Sequence, residues 1–342
     1  MPLMPRRALL ASTLATTTAL ATTILAPAFA PAFAPGVARA QTQPWPNRPI
    51  TLVVPNPPGG GSDFAARLYQ DALTRLLGVQ VVVDNKPGAN GNIAIQSVVR
   101  AAPDGYTLLM QYSGYHAGNP AMMKTLSWDP NRDLVAIGMA DVAPHGIFVA
   151  PGLPVTTLAE FIAYARARPG QLNYSSSGNG SIQHIAGVLF SQAIGTPMVH
   201  VPYRGAAPAL QDVAGDRVEM LITTPSSAIG LAQAGKVRAL AIASAARIGA
   251  LPEVPTTAEA GLPGFTVDAW FGIFAPAGIP AAIVERLNRA MQEAAATPEV
   301  RRRAEEGGVL LRPMSAAEMD AVARREVEVL GRTIREAGIT LE

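Results

Sequence analysis

The 342-residue chain contains no cysteine, and its four histidines show no H-x-x-x-H spacing. Without cysteine, disulfides and thiol catalysis are excluded, and most structural zinc sites are excluded with them. A stable fold must therefore depend on its buried core. The scattered histidines also argue against a metal site, so we predict neither a metal nor another cofactor.

Long apolar runs are also missing after residue 40. Before it, Arg6 and Arg7 precede an uncharged Ala/Thr/Leu-rich stretch that ends in Ala38-Arg39-Ala40. This arrangement is typical of a signal peptide. We expect cleavage after Ala40 and a soluble, exported protein that begins at Gln41. A transmembrane anchor is the weaker alternative because the run is rich in Thr and Ala, and the export route, general secretory or twin-arginine, stays open.

A basic surface is the third absence. The chain has 27 Lys and Arg against 25 Asp and Glu, but three arginines lie in the leader, which leaves 24 bases against 25 acids. The remaining chain is close to neutral and has no basic stripe interleaved with aromatic residues. We therefore predict no nucleic-acid partner.

Strands and helices are predicted to alternate along the chain. Apolar runs of strand length lie at Ile50–Val54, Val79–Val83, Tyr106–Met110 and Leu134–Met139, with helical periodicity between them. A second alternating block starts near Ile147. This order predicts two α/β blocks with mostly parallel sheets, in which ligands bind at the carboxyl ends of strands.

Local signals place several elements of the second block and of the C-terminal region. We predict helices at Thr157–Arg168 and Ile182–Ile194 and strands at Leu172–Tyr174, Val199–Val201, Val218–Ile222 and Val237–Ile242. Three charged, amphipathic helices follow, at Ala281–Ala295, Pro298–Glu306 and Ser315–Ala337. Ser315 and Glu318 have the spacing of a capping box, and Thr156 or Thr157 is suited to cap the helix that follows it.

A loop rich in Pro and Gly, P-P-G-G-G-S-D at 57–63, follows the first strand and opens a helix. It lacks the Gly-Lys-Ser/Thr of a phosphate loop and the third glycine of the dinucleotide motif. Its glycines allow close approach of the main chain, and the amides of a helix N-terminus attract a carboxylate. A tight turn without a ligand remains an equal alternative for this loop alone.

Two further loops favour a ligand held between the blocks. The loop S-S-S-G-N-G-S at 175–181 has the same position in the second block, and Tyr203 and Arg204 lie at another strand end. A serine hydrolase that uses Ser62 or Ser181 is the alternative function. The motif G-x-S-x-G is absent at Ser62, and His184 lies on the same helix as Ser181, so neither serine has a convincing base.

Several ordered motifs from Trp45 to the C-terminus resemble the periplasmic substrate-binding receptors of tripartite tricarboxylate transporters, the Bug family. The most specific are P-N-R-P-I-T-L-V-V-P-N-P-P-G-G-G-S-D (46–63), N-K-P-G-A-N-G-N-I (85–93), A-P-D-G-Y-T-L-L (102–109), H-V-P-Y-R-G-A-A-P-A-L (200–210) and W-F-G-I-F-A-P-A-G (270–278).

The resemblance implies a two-lobed α/β Venus flytrap, a type II periplasmic binding protein, without catalysis. It implies a monomer that captures a small organic carboxylate and delivers it to membrane permease subunits. Lobe one would comprise 41–143 and 268–342, and lobe two 144–267, with hinge strands near 144–150 and 268–275. The implied ligand-binding residues are Pro57, Gly59, Gly60, Gly61, Ser62, Asp63, Tyr112, Ser113, Ser177, Gly178, Asn179, Gly180, Ser181, Tyr203, Thr223 and Thr224.

One departure from the family bears on specificity. Members commonly have Asp or Asn where this chain has Thr223-Thr224, so an ammonium group would lack a counter-charge. We therefore expect a carboxylate with an uncharged body rather than an amino acid. Three bulky residues, Tyr112, Tyr115 and His116, are expected to select an aromatic or short ligand.

Overall fold

A computed structural model of the protein describes residues 45–340. The predicted signal peptide and its cleavage site lie outside these residues. Within 45–340, no helix is both long enough and apolar enough to cross a membrane.

Ten strands are present between residues 45 and 340. They are β1 (Ile50–Val54), β2 (Val81–Asn85), β3 (Thr107–Tyr112), β4 (Leu134–Pro144), β5 (Gly146–Val149), β6 (Asn173–Ser176), β7 (Val199–Pro202), β8 (Met220–Thr223), β9 (Arg238–Ile242) and β10 (Asp268–Pro276).

The strands form two five-stranded sheets with equivalent topology. The first has the order β2-β1-β3-β10-β4 and the second the order β7-β6-β8-β5-β9. In each, the first three strands are parallel, and the fourth runs antiparallel to both of its neighbours. Each sheet is the centre of one lobe. We call these the first and the second lobe.

Helices cover both sheets, as expected for α/β layers. They are α1 (Gly61–Leu77), α2 (Asn92–Val99), α3 (Ser113–Met122), α4 (Leu158–Arg166), α5 (Ile182–Ala193), α6 (Ala206–Ala214), α7 (Pro225–Gln233), α8 (Ala281–Ala296), α9 (Pro298–Glu306) and α10 (Ala316–Glu336). The last three pack on the first lobe, where α8 contacts α1 and α10 contacts β4. The chain therefore returns to the first lobe after building the second.

The chain passes between the sheets twice. His145 alone separates β4 from β5, and residues 243–267 lead from β9 back to β10. The two passages are hydrogen-bonded to each other: the His145 amide donates to Val267 O (2.8 Å), and the Ala243 amide donates to His145 O (2.8 Å). The lobes are thus joined by two adjacent backbone segments.

Most predicted elements are confirmed, with small shifts of their ends. β1 and α9 begin and end at the predicted residues, whereas β2 starts two residues later than predicted, at Val81. Ser315 and Glu318 form the predicted capping box, and Thr157 rather than Thr156 caps α4.

Helix α3 is the main element that the sequence analysis did not predict. Its sequence, SGYHAGNPAM, contains two glycines and a proline, which are poor helix formers. Eight of its ten residues are buried, and the helix packs in large part against α10. Tertiary packing therefore outweighs weak local propensity here.

A candidate ligand site between the two lobes

A small polar cavity lies where the two lobes meet. Its volume is about 20 Å³, and its wall is formed by Asn56, Gly60, Gly61, Ser62, Tyr112, His145, Ser177, Gln183, Ala206, Thr224 and Phe271. A space of this size holds about one water molecule. A larger ligand therefore needs more space than this arrangement of the lobes leaves in the cavity.

The lobes are in direct contact around this cavity. The Ile182 amide at the start of α5 donates a hydrogen bond to the Tyr112 hydroxyl of the first lobe (3.0 Å). A methyl group added at Gly205 of the second lobe would lie 2.8 Å from the Pro57 ring of the first. The lobes thus touch at Pro57, in the loop at 57–63, and at Ile182, directly after the loop at 175–181.

A wider pocket of about 460 Å³ opens at the mouth of the cleft. It is lined by Pro55, Asn56, Pro57, Pro87, Gly88, Ala89, Asn90, Gly91, Tyr115, Ser177, Gly178, Tyr203, Arg204 and Gly205. Asn56 and Ser177 line both spaces, so the mouth and the cavity are neighbours. Together they form one cleft with walls from both lobes.

Five helices contribute their N-terminal ends to the cavity wall. Gly61 begins α1, Ala206 begins α6, and Gln183 lies in the first turn of α5. Tyr112 and Thr224 are the N-cap residues of α3 and α7. Helix N-termini carry a partial positive charge and unpaired amide groups. The wall contains no Asp, Glu, Lys or Arg side chain, so these dipoles dominate the local potential, and they favour an anion.

The first loop is braced by its own polar side chains. Asp63 accepts hydrogen bonds from the Gly59 amide, the Arg67 guanidinium and the Asn85 amide group (3.0–3.1 Å). Its carboxylate therefore holds the loop and is not part of the cavity wall. Gly59 has φ of +84°, a conformation that glycine adopts without strain.

Asn56 connects this loop to the neighbouring helix. Ser62 Oγ donates to Asn56 Oδ1 (2.7 Å), and Asn56 Nδ2 donates to the Tyr115 hydroxyl (3.0 Å). All three side chains belong to the first lobe. Their hydrogen bonds fix the polar surface beside the N-terminus of α1.

The second loop is organised around the cap of α5. Ser181 is fully buried; its Oγ accepts from the His184 amide (3.2 Å) and donates to Gly178 O (2.8 Å). His184 in turn accepts from the Gly180 amide through Nδ1 (3.0 Å), and its ring stacks on His200. Ser177 lines the cavity, whereas the Ser181 hydroxyl is used within the loop and at the start of α5.

The structure brings some of the predicted binding residues together. Six line the inner cavity: Gly60, Gly61, Ser62, Tyr112, Ser177 and Thr224. Pro57, Gly178 and Tyr203 line the mouth, together with Tyr115 and Arg204. The predicted residues that line neither space are Gly59, Asp63, Ser113, Asn179, Gly180, Ser181 and Thr223.

His116 lines neither the cavity nor its mouth, contrary to the expectation that it would help to select the ligand. It is buried among aromatic rings in the first lobe, with the rings of Trp270 and Phe274 about 5 Å away. Burial lowers the pKa of His116 to about 3, so the ring is neutral at physiological pH.

Sequence reasoning missed five residues of the inner wall: Asn56, His145, Gln183, Ala206 and Phe271. Asn56 and Gln183 each lie next to a loop that was singled out, so proximity alone was a usable signal. His145 and Phe271 lie on the passage between the lobes and on β10. Both lie in the predicted hinge strands, near 144–150 and 268–275, but that prediction did not say which hinge side chains face the cleft.

The serines proposed for the hydrolase alternative have no catalytic base. Ser62 donates to Asn56, and Ser181 donates to a main-chain carbonyl. Within residues 45–340, neither hydroxyl contacts a histidine ring. The site therefore offers no support for nucleophilic catalysis.

Two lobes of equivalent topology, joined by two adjacent segments around an anion-favouring cleft, define a two-lobed solute-binding protein of type II. The chain belongs to the tripartite tricarboxylate transporter family of receptors, whose model matches residues 65–339. Proteins of this family are solute-binding receptors for small carboxylates, so the chain is a receptor and not an enzyme.

Individual relatives agree with this assignment. A UPF0065 protein from the tcbD–tcbE intergenic region of a Pseudomonas species is 39% identical over 257 residues, covering 75% of this chain and 76% of that protein. A solved R. palustris protein, Rpa4515 with adipate, is 36% identical with a TM-score of 0.84, covering 86% of this chain and 99% of that one. MatC from Rhodopseudomonas palustris with bound malate is 32% identical with a TM-score of 0.79, covering 84% and 99%.

Proposed function

We propose that this protein captures a small organic carboxylate in the inter-lobe cleft and delivers it to the membrane permease subunits of a tripartite tricarboxylate transporter. The observation that carries the proposal is the convergence of five helix N-termini on one cavity without charged side chains. Such a wall binds a carboxylate through main-chain amides and dipoles. The carboxylates bound by two solved relatives are consistent with this chemistry.

The lobes are proposed to divide at the two passages of the chain. Lobe one then comprises 41–143 and 268–342, lobe two comprises 144–267, and the hinges lie near 144–150 and 268–275. The membership of the strands in the two sheets supports this division. A ligand that contacts both lobes stabilises the closed arrangement and shifts the population toward it.

The proposed ligand contacts are the residues that line the cavity and its mouth. The N-terminus of α1 at Gly61 and Ser62 receives one carboxylate, and Ser177 and Thr224 approach the ligand from the second lobe.

The protein also has a pocket of larger volume, about 830 Å³, which is not the proposed binding site. It lies beside β9 and is lined by Arg238, Glu253 and Glu259 among others. It contains none of the predicted binding residues and lies on one lobe only.

We further propose that the chain is exported to the periplasm, cleaved after Ala40 and active as a monomer. Purification from the periplasmic fraction of expressing cells and intact mass measurement test the export and the cleavage, and light scattering of the purified protein tests the monomer. The expected mass is that of Gln41–Glu342. A chain that retains residues 1–40 would overturn the proposed cleavage.

Thermal unfolding of the exported protein against mono-, di- and tricarboxylates, aromatic acids and amino acids tests the binding function. A ligand that binds only the folded state raises the midpoint with its concentration. We expect a dose-dependent shift with one class of carboxylate and none with amino acids. If no carboxylate shifts the midpoint, and mass spectrometry of the denatured protein finds no co-purified carboxylate, the proposal fails.

A further inference from the structure

Two buried polar atoms in the cavity wall have no hydrogen-bond partner among residues 45–340. They are Nε2 of His145 and Oε1 of Gln183. His145 is fully buried between β4 and β5, and Gln183 is 5% exposed in the first turn of α5. Both side chains line the same inter-lobe cavity. Buried polar atoms are nearly always paired in native proteins, so these two atoms require a partner in the cavity, which is a water molecule when no ligand is bound and a group of the ligand when one is.

Both atoms are hydrogen-bond acceptors. His145 Nδ1 lies 3.3 Å from Ala143 O, and a carbonyl can only accept, so Nδ1 carries the proton and Nε2 is the bare nitrogen. Burial lowers the pKa of His145 to about 4, which keeps the ring neutral. Gln183 uses its Nε2 group to donate to Thr223 Oγ1 (2.7 Å), which leaves Oε1 without a partner.

The partner of both atoms must therefore be a hydrogen-bond donor, and the cavity wall disfavours a donor with a positive charge. An ammonium group would meet the positive ends of five helices, with no acidic side chain in the wall to balance it. A hydroxyl group donates without adding charge. The wall thus combines an anion-favouring potential with two neutral acceptors.

We propose that His145 and Gln183 read hydroxyl groups on the ligand, so that the receptor selects hydroxylated carboxylates over otherwise identical unsubstituted ones. This inference rests on the proposed carboxylate-binding function and specifies its substrate class. Each acceptor receives a hydrogen bond from a ligand hydroxyl, which replaces the water molecule there, when the lobes close on the ligand. An unsubstituted ligand leaves both acceptors buried and unpaired, which is unfavourable.

Succinate, malate and tartrate test the inference because they share a four-carbon dicarboxylate frame and carry zero, one and two hydroxyl groups. Titration calorimetry on the exported protein gives the ratio of dissociation constants between succinate and each hydroxylated ligand. We expect the ratio to be about 10-fold or more for at least one of them. Gln183→Met should lower this ratio toward one, whereas Gln192→Met on the exposed side of the same helix should not change it.

A second measurement leaves the cleft residues unchanged, so it does not require a cleft variant to fold. The chain has four histidines, so ¹⁵N-histidine labelling gives a simple spectrum. The other three histidines are substituted singly to assign His145. The bare Nε2 resonance of His145 should shift on saturation with malate or tartrate, and shift less with succinate.

The outcomes separate the two proposals. If no carboxylate binds at all, the receptor function itself fails. If carboxylates bind but hydroxyl groups bring no gain in affinity, the hydroxyl preference is overturned while the receptor function stands. The preference is also assigned to the wrong residues if Gln183→Met and Gln192→Met give the same ratio as the wild type, or if the His145 resonance does not respond.

Discussion

Gly61 shows how closely a single residue is constrained by both lobes. A methyl group at this position would lie 2.7 Å from the Phe271 ring and 3.2 Å from the side chain of Thr224, which belongs to the second lobe. Contacts below 3.4 Å are tighter than ordinary packing and force a neighbour to move. The absence of a side chain at position 61 therefore permits the lobes to approach.

We predict that Gly61→Ala weakens carboxylate affinity by about 10-fold or more, because the added methyl occupies space between Thr224 and the N-terminus of α1, where the ligand is proposed to bind. The matched control is Gly230→Ala, at an exposed position of α7 where the added methyl has no atom within 4 Å. Calorimetric titration of both variants measures the difference. Equal affinities in the two variants would contradict the role given to Gly61.

Asp141 is a buried carboxyl group whose two oxygens have no partner among the residues described. Burial raises its pKa to about 8, so the folded protein holds a neutral acid at pH 7. The unfolded chain loses this proton near pH 4. Folding stability therefore falls as pH rises from about 4 to 8, by up to about 1.4 kcal/mol per unit.

We predict that Asp141→Asn removes this pH dependence and stabilises the protein above pH 7 relative to the wild type. Denaturant unfolding at pH 5, 7 and 9 measures the effect. Asp71→Asn, on the exposed face of α1, is the control and should follow the wild-type curve. Parallel curves for wild type and Asp141→Asn would show that the carboxyl group is not neutral in the fold.

Helix α4 illustrates stabilisation by a local signal at the scale of one element. Thr157 Oγ1 accepts from the Glu160 amide (3.2 Å), while the Glu160 carboxylate accepts from the Thr157 amide (3.1 Å). This capping box satisfies two amides that the helix itself leaves unpaired.

We predict that Thr157→Ala lowers the free energy of unfolding by about 1 kcal/mol. Thr156→Ala, the neighbouring control, removes only a hydroxyl contact with the Glu160 carboxylate (2.9 Å) and should have a smaller effect. Thermal unfolding compares the two. Carboxylate affinity should be the same in both variants because α4 is not part of the cleft; a larger loss in Thr156→Ala would reverse the assignment of the cap.

At the scale of the whole molecule, buried histidines make the fold sensitive to acid. Burial lowers the pKa of His116 to about 3 and that of His145 to about 4, against about 6.5 in an unfolded chain. Below pH 6.5 the unfolded chain gains protons that the folded protein does not take up, so stability is lost as pH falls toward 4. Burial also lowers the pKa of His184 and of His200, which adds to this loss. Burial raises the pKa of Asp141, Asp268 and Glu326, which act in the opposite direction, but four histidines outweigh three carboxyl groups.

We predict a stability maximum near about pH 6.5. His116→Phe, which retains an aromatic ring among Trp270 and Phe274, should make the acid limb shallower. The free energy of unfolding between pH 4.5 and 8 measures this. An unchanged slope in His116→Phe would show that His116 does not resist protonation in the folded state.

The sequence by itself determined the local elements of this protein. Apolar runs, glycine turns and capping residues act over a few positions, so β1, α9 and the box at Ser315 were predicted at their observed places. The loop at 57–63 was likewise identified by its own chemistry as the start of a helix that attracts anions.

Only the tertiary structure decided which residues meet in the cleft. The cavity wall combines Asn56, His145, Gln183 and Phe271, which are far apart along the chain and carry no shared local pattern. In the tertiary structure, Ser181 caps α5 and does not line the cavity, and His116 is buried in the core of the first lobe. Neither position follows from the local sequence, because side-chain direction depends on what packs against each element. Long-range packing acts between distant segments, and no signal within a few residues encodes it.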